Sequence, residues 1–276
     1  MAGLIHGGSL RKMAVAPGEP ARYALPLGEE SVPLNPFLGQ EVRLQFRGAI
    51  HCIHCGRKSS KSFNQGYCYP CFRSLARCDT CIVRPELCHY FEGTCREPEW
   101  GDAHCMIPHI VYLANSTGTK VGITRHTQLP TRWLDQGAIQ ALPILRVQTR
   151  QQSGLVESLF RDHVSDRTNW RAMLRGDVEP VDLYQERDRL LPEVAEGLEA
   201  LTRRFGLQAI QPCPDAESRN FDYPVLEFPT RISSLNLDRQ PEAVGTLMGI
   251  KGQYLILDTG VLNIRKYAGY EVELYA

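Results

Sequence analysis

The chain predicts an α+β fold, with a mixed unit of strands and helices preceded by a cysteine-rich module and flanked by β segments at both ends. Three observations carry that expectation. Both ends show apolar alternation punctuated by Pro and Gly, nine cysteines crowd between Cys52 and Cys105, and strand and helix patterns alternate from residue 108 onward. The boundaries that follow are an N-terminal β unit over 1–50, a metal-binding region over 51–107, an α/β unit over 108–210, and a linker with a C-terminal β unit over 211–276.

At the N-terminal end, Arg22-Tyr-Ala-Leu and Glu41-Val-Arg-Leu-Gln-Phe alternate as half-buried strands do. At the other end Gly252-Gln-Tyr-Leu-Ile-Leu and Glu271-Val-Glu-Leu read the same way, with Asp258-Thr-Gly260 as a hairpin turn. The ends also echo each other. Leu34-Asn35 followed by Gly39-Gln-Glu41-Val42-Arg-Leu44 resembles Leu262-Asn263 followed by Gly269-Tyr-Glu271-Val272-Glu-Leu274, a weak repeat that suggests two small barrel-like units.

In the middle, residues 108–125 predict a hairpin around the turn formers Asn115-Ser-Thr-Gly118. A short helix is expected between Pro130 and Gly137, then a strand over Leu142 to Val147. Gly154 to about Asp166 predicts a helix with Leu155, Val156, Leu159, Phe160 and Val164 on one face. Another is expected from Pro192 to Gly206, and the Gln211-Pro-Cys-Pro segment up to Pro229 reads as linker.

Paired CxxC spacings in a chain with no export signal point to thiolates on metal rather than to disulfides. Cys52-x2-Cys55-x12-Cys68-x2-Cys71 presents two knuckles of two thiolates each, the pattern of a tetrahedral structural Zn2+ site with no open position. A second set, Cys78, Cys81, Cys88 and Cys95, could hold another zinc or an iron–sulfur cluster, with His89, Cys105 and His109 as alternates. Spacing alone does not choose among these ligands, and Cys213 reads as an ordinary thiol.

The order of residues from Ile110 to Arg171, about a quarter of the chain, resembles the GIY-YIG nuclease superfamily. Ile110-Val-Tyr112 resembles its first motif, and Lys120-Val121-Gly122 its second, with lysine at the tyrosine position as in the phage-type KIG branch. The resemblance implies a three-stranded sheet flanked by helices. It places Tyr112, Lys120, Arg132 and Glu157 at catalytic positions, with Glu157 as the Mg2+ or Mn2+ ligand, and it extends to His163 and to Arg167-Thr-Asn-Trp170. The residue types suit phosphodiester hydrolysis independently of the name. Glu157 could hold a divalent ion, Arg132 could clamp phosphate with its planar fork, and Tyr112 with Lys120 could orient or deprotonate water.

Net charge is zero, but it is unevenly placed. Residues 42–88 carry eight Lys or Arg against two Asp or Glu, and residues 103–175 carry nine against four. Residues 176–229 carry five against twelve. The two basic segments coincide with the candidate chemistry and suit a DNA or RNA partner. No apolar run is long enough to cross a membrane, and the first residues lack a signal-peptide pattern, so a cytoplasmic location is expected. The function expected is a divalent-metal-dependent endonuclease on a zinc-stabilised scaffold. The alternatives are a non-catalytic nucleic-acid-binding zinc protein and an iron–sulfur redox or RNA-modifying protein.

Overall fold

The computed structural model describes residues 3–164 and 168–276 and is α+β, with antiparallel strand pairing in all of its sheet ladders. Strands β1 (Leu4–Ser9), β2 (Ala14–Ala16), β3 (Arg22–Leu27), β4 (Glu30–Pro33) and β5 (Glu41–His51) open the chain. The cysteine-rich stretch follows with β6 (Lys58–Ser59), α1 (Tyr69–Ser74) and α2 (Pro98–His104). Between α1 and α2 the chain runs through four single-turn 3-10 helices (Ala76–Cys78, Thr80–Ile82, Pro85–Leu87 and Tyr90–Glu92). Such turns have little regular hydrogen bonding of their own, so side-chain anchoring must hold them.

The central unit begins with the expected hairpin, β7 (His109–Asn115) and β8 (Thr119–Arg125). Asn115 Oδ1 accepts from the Gly118 N–H at 3.1 Å, and Gly118 takes φ +116°, so the turn residues act as their types predict. Then come α3 (Thr131–Asp135), β9 (Gln140–Val147) and α4 (Arg150–Phe160). α4 starts four residues before the expected Gly154, because Thr149 and Gln152 form a capping box. It also ends at Phe160, short of the expected Asp166.

Helices α5 (Trp170–Arg175), α6 (Leu183–Glu193) and α7 (Ala195–Phe205) complete the unit. Pro192, expected to open a helix, instead lies in the last turn of α6. The supposed linker contributes β10 (Ile210–Pro212) and β11 (Arg219–Asn220), both paired with β9. The sheet order is β10-β9-β7-β8, which leaves β8 at an edge. One face carries Val111, Leu113 and Val121 against Val156, Phe160 and Leu190. The other carries Ile110, Tyr112 and Ala114 against Trp133 of α3.

Strands β12 (Glu242–Lys251), β13 (Tyr254–Leu257), β14 (Gly260–Asn263) and β15 (Tyr270–Tyr275) close the chain. They do not form a unit separate from the N-terminal strands. β5 pairs with both β12 and β15, β1 pairs with β15, and one apolar core joins Leu25 and Leu44 to Leu247 and Leu274. The sequence echo has a structural counterpart. Hairpin β3–β4, a 3-10 turn and β5 recur in order as hairpin β13–β14, a 3-10 turn and β15. The two echoed strands lie side by side, with Leu274 opposite Leu44.

Candidate functional site

A cleft of about 840 Å³ opens along the β8 edge, where the central sheet, the cysteine-rich stretch and the β layers meet. β8 lines it from Lys120 to Arg125, the end of α3 adds Arg132 and Gln136, and α4 adds Arg150 and Glu157, with Arg161 just beyond. Arg77 comes from the cysteine-rich stretch, and Arg11, Lys12 and Arg265 come from the β layers. Among the described residues, nine Lys or Arg therefore face the cleft against two acids, Asp135 and Glu157. Asp135 is already engaged, by Lys12 Nζ at 2.6 Å and by Gln253 Nε2 at 2.9 Å.

The crowding shows in the electrostatics. Burial pushes the guanidinium groups of Arg125, Arg150 and Arg265 down, and repulsion from Arg132 adds to this at Arg150 and Arg265. Arg150 donates from Nη2 to the Ile82 carbonyl at 2.5 Å, while the Nε atoms of Arg150 and Arg77 are buried with no hydrogen-bond partner. Positive charge is therefore concentrated in the cleft.

Of the residues expected at the site, Lys120, Arg132 and Glu157 all line the cleft. Tyr112 lies behind it, fully buried, and donates its hydroxyl to Gln136 Oε1 at 3.0 Å. Burial raises its pKa, Arg132 pulls it back and Glu157 adds to the rise. Tyr112 therefore reaches the cleft through Gln136, its hydroxyl already engaged there. Gln136 Oε1 also accepts from Lys120 Nζ at 3.2 Å, and Lys120 Nζ donates to Thr168 Oγ1 at 2.6 Å. Gln136 was not anticipated. The only signal for it was a polar residue between the Arg132 helix and Gly137. Arg11, Lys12 and Arg265 were missed because they lie far from the motifs in sequence. His163 is exposed beyond the end of α4 and does not line the cleft. Arg167 lies outside the described residues.

Gly122 faces Tyr112 across the hairpin, and a Cβ there would come within 2.7 Å of the tyrosine Oη. The ring cannot swing aside, because Trp133 packs edge-on against it at 5.8 Å between centroids. Gly122→Ala is therefore expected to destabilise the protein by about 1–3 kcal/mol, the usual range for overpacking. Denaturant titration of the two proteins measures this.

The first four cysteines behave as expected. The sulfur atoms of Cys52, Cys55, Cys68 and Cys71 lie within 4.8 Å of one another and could hold a metal ion, and Cys55 and Cys68 Sγ are 3.8 Å apart. Burial raises the Cys52 thiol, but the amides of Cys55, Cys68 and His54 outweigh it and bring the group down to about 6.

The second set differs from expectation. Cys81, Cys88, Cys95 and Cys105 line one small cavity. Cys78 instead packs with Cys52, Cys68, Cys71 and Leu75, because its 3-10 turn sits under the first knuckle pair. The next turn carries Cys81 to the other side. Asp79, Cys81 and His89 also approach within 4.8 Å of one another. Asp79, however, is held by Arg96 at 2.7 Å and caps the Thr80 N–H at 2.6 Å.

His109 does not line the cavity. Its ring is fully buried, with Nδ1 2.7 Å from the Ile107 carbonyl and Nε2 unpartnered. Burial lowers its pKa to about 4, and nearby Arg150, Arg125 and His126 add to that. Its folded value lies below its unfolded one, so its contribution is complete above about pH 6.5 and is lost as pH falls toward 4. That contribution is on the order of 3 kcal/mol. Unfolding titrations at pH 7 and pH 4.5 are expected to show a smaller acid loss in His109→Asn than in the parent chain.

No curated protein and no solved structure matches the chain. The family model of DUF2797, described as a protein of unknown function, matches residues 39–272. That span runs from the turn before β5 into β15 and includes the cleft's central sheet and both cysteine clusters, so the chain belongs to the DUF2797 family.

Proposed function

We propose that this protein binds nucleic acid in the basic cleft and hydrolyses a phosphodiester at Lys120, Arg132 and Glu157 with the help of a divalent metal ion. The observation that carries this reading is the convergence of those three side chains on a cleft with nine cationic residues. The ββαβα order from β7 to α4, with Tyr112 opposite Gly122, supports a GIY-YIG-like core. The recurring hairpin, 3-10 turn and strand, joined where β5 pairs with β15, support one barrel-like unit built from both ends of the chain. Zinc is the proposed ion of the Cys52, Cys55, Cys68 and Cys71 site, since four thiolates around one closed tetrahedral centre suit it best.

Glu157 would hold Mg2+ or Mn2+, which supplies Lewis-acid stabilisation of the charge that develops on phosphate. The remaining work falls to groups already in place. Arg132 offers its planar fork to two phosphate oxygens. Lys120, fixed by Gln136 and Thr168, adds a positive charge that does not need to reorganise. Tyr112 holds Gln136, and so sets the direction of the lysine from behind. Arg77, Arg125, Arg161 and Arg265 extend the basic path for neighbouring phosphates.

Labelled single- and double-stranded DNA and RNA, incubated with the protein and Mg2+ or Mn2+, test the proposal. Cleavage that stops on chelation of the divalent ion is expected. A second reading, binding without hydrolysis, is favoured by the buried, engaged hydroxyl of Tyr112. Retention of every substrate intact, with binding undiminished, would select it.

A further inference from the structure

The two cysteine clusters differ in size, and the difference bears on what each can hold. The first closes four sulfurs to within 4.8 Å of one another, as a single ion requires. Among the described residues no three of Cys81, Cys88, Cys95 and Cys105 meet that limit. These four instead surround a cavity of about 10 Å³, together with Asp79, His89, Ile82, Tyr90, Trp100 and Gly101. That is room for about one water-sized sphere. A single zinc ion with its sulfurs at about 2.3 Å leaves no such space.

We propose that Cys81, Cys88, Cys95 and Cys105 ligate a [4Fe–4S] cluster, in a centre separate from the Cys52 site. Four thiolates are the usual ligand set for such a cluster, and its cubane core keeps them further apart than one ion does. The surroundings suit it. Trp100 stacks on His104 with centroids 4.2 Å apart, and with Tyr90 it gives the cavity an apolar wall. A Cβ on Gly101 would lie 3.0 Å from the Tyr90 ring and 3.5 Å from Cys95 Sγ, so glycine lets helix α2 approach the cluster closely. Arg150, whose charge is felt by both Cys81 and Cys105, offsets the anionic thiolates from the cleft side.

The competing mononuclear group, Asp79, Cys81 and His89, is weaker. Arg96 occupies the Asp79 carboxylate at 2.7 Å, and the group offers three ligands rather than four. The centre also explains how the turn-rich stretch supports α4. Gln151 Nε2 donates to the Cys88 carbonyl at 3.0 Å, Arg150 donates to Ile82, and a Cβ on Gly154 would come within 2.6 Å of Pro85. The cluster would therefore brace the helix that carries Glu157, whether or not the cleft hydrolyses its ligand.

The test is iron, sulfide and zinc analysis with a visible spectrum, on full-length protein purified without oxygen and then reconstituted with ferrous iron and sulfide. About four iron and four sulfide per chain are expected beside one zinc, with a broad visible band that bleaches on reduction. Cys88→Ser and Cys105→Ser are expected to lose the iron and the band but keep the zinc, whereas Cys78→Ala keeps all three. Two zinc and no iron, both as purified and after reconstitution, would overturn the proposal. So would loss of iron in Cys78→Ala with retention in Cys105→Ser. If the serine variants do not fold, the parent protein's metal content and the Cys78→Ala result still decide.

Discussion

Glu157→Gln is expected to reduce Mg2+-dependent cleavage by on the order of 10³-fold while leaving nucleic-acid affinity within about twofold. The substitution keeps the side chain's size but removes the charge that would hold the ion. A divalent metal's stabilisation of developing charge is worth several kcal/mol, and each 1.36 kcal/mol is about tenfold in rate. Binding should survive because, among the described residues, nine cationic side chains line the cleft and Glu157 is one of two acids there. Removing a negative charge from a basic cleft should, if anything, tighten binding slightly at low salt. Single-turnover cleavage and a binding titration on the same labelled substrate separate the two effects. Equal loss of cleavage and binding would place Glu157 in the scaffold rather than at the metal.

The second large effect is expected at the Cys52 site. Cys71→Ser should lose the zinc proposed at this site and destabilise the module by more than about 4 kcal/mol, a range that loss of a metal site reaches. Little else holds this part of the chain together. Its local core is four cysteines with Leu75, to which Tyr67 and Phe72 add partial burial, and its regular elements are β6 and the six residues of α1. Structural zinc contributes roughly 10–16 kcal/mol of apparent binding energy in small zinc modules, so metal and fold should be lost together. A thiol-competing chelator should reproduce the effect in the parent chain. The readout is the near-ultraviolet signal of Tyr67, Phe63 and Phe72, of which the two phenylalanines stack with centroids 5.9 Å apart. Loss of zinc with an unchanged signal would show that the module stands without it.

What was legible in the sequence was local. The hairpin of β7 and β8 followed from a turn-forming run between two apolar stretches, and the first cysteine quartet followed from two knuckles at fixed spacing. The same information could not show that β5 would sit between β12 and β15, because the partners lie at opposite ends of the chain and alternation is identical for any strand partner. α4 began earlier than expected because its first turn, Arg150 to Ser153, is polar and carries no apolar stripe. Only the Thr149 and Gln152 capping pair announced it. Cys78 was grouped by its CxxC spacing with Cys81, yet two successive 3-10 turns aim the two thiols at different clusters. Arg11, Lys12 and Arg265 reach the cleft because the β layers pack beside α3, where Lys12 and Gln253 meet Asp135, a long-range event that no window of sequence encodes.

The most direct test of the cleft as the working surface is the salt dependence of binding to a labelled nucleic acid, compared between the parent chain and Arg132→Ala, Arg125→Ala and Arg265→Ala. Affinity should fall steeply and log-linearly with salt in the parent chain. Each variant should lower that slope by about one where its guanidinium contacts a phosphate. Binding that is absent at low salt, or a slope that none of the three substitutions changes, would contradict the assignment of the cleft to nucleic acid.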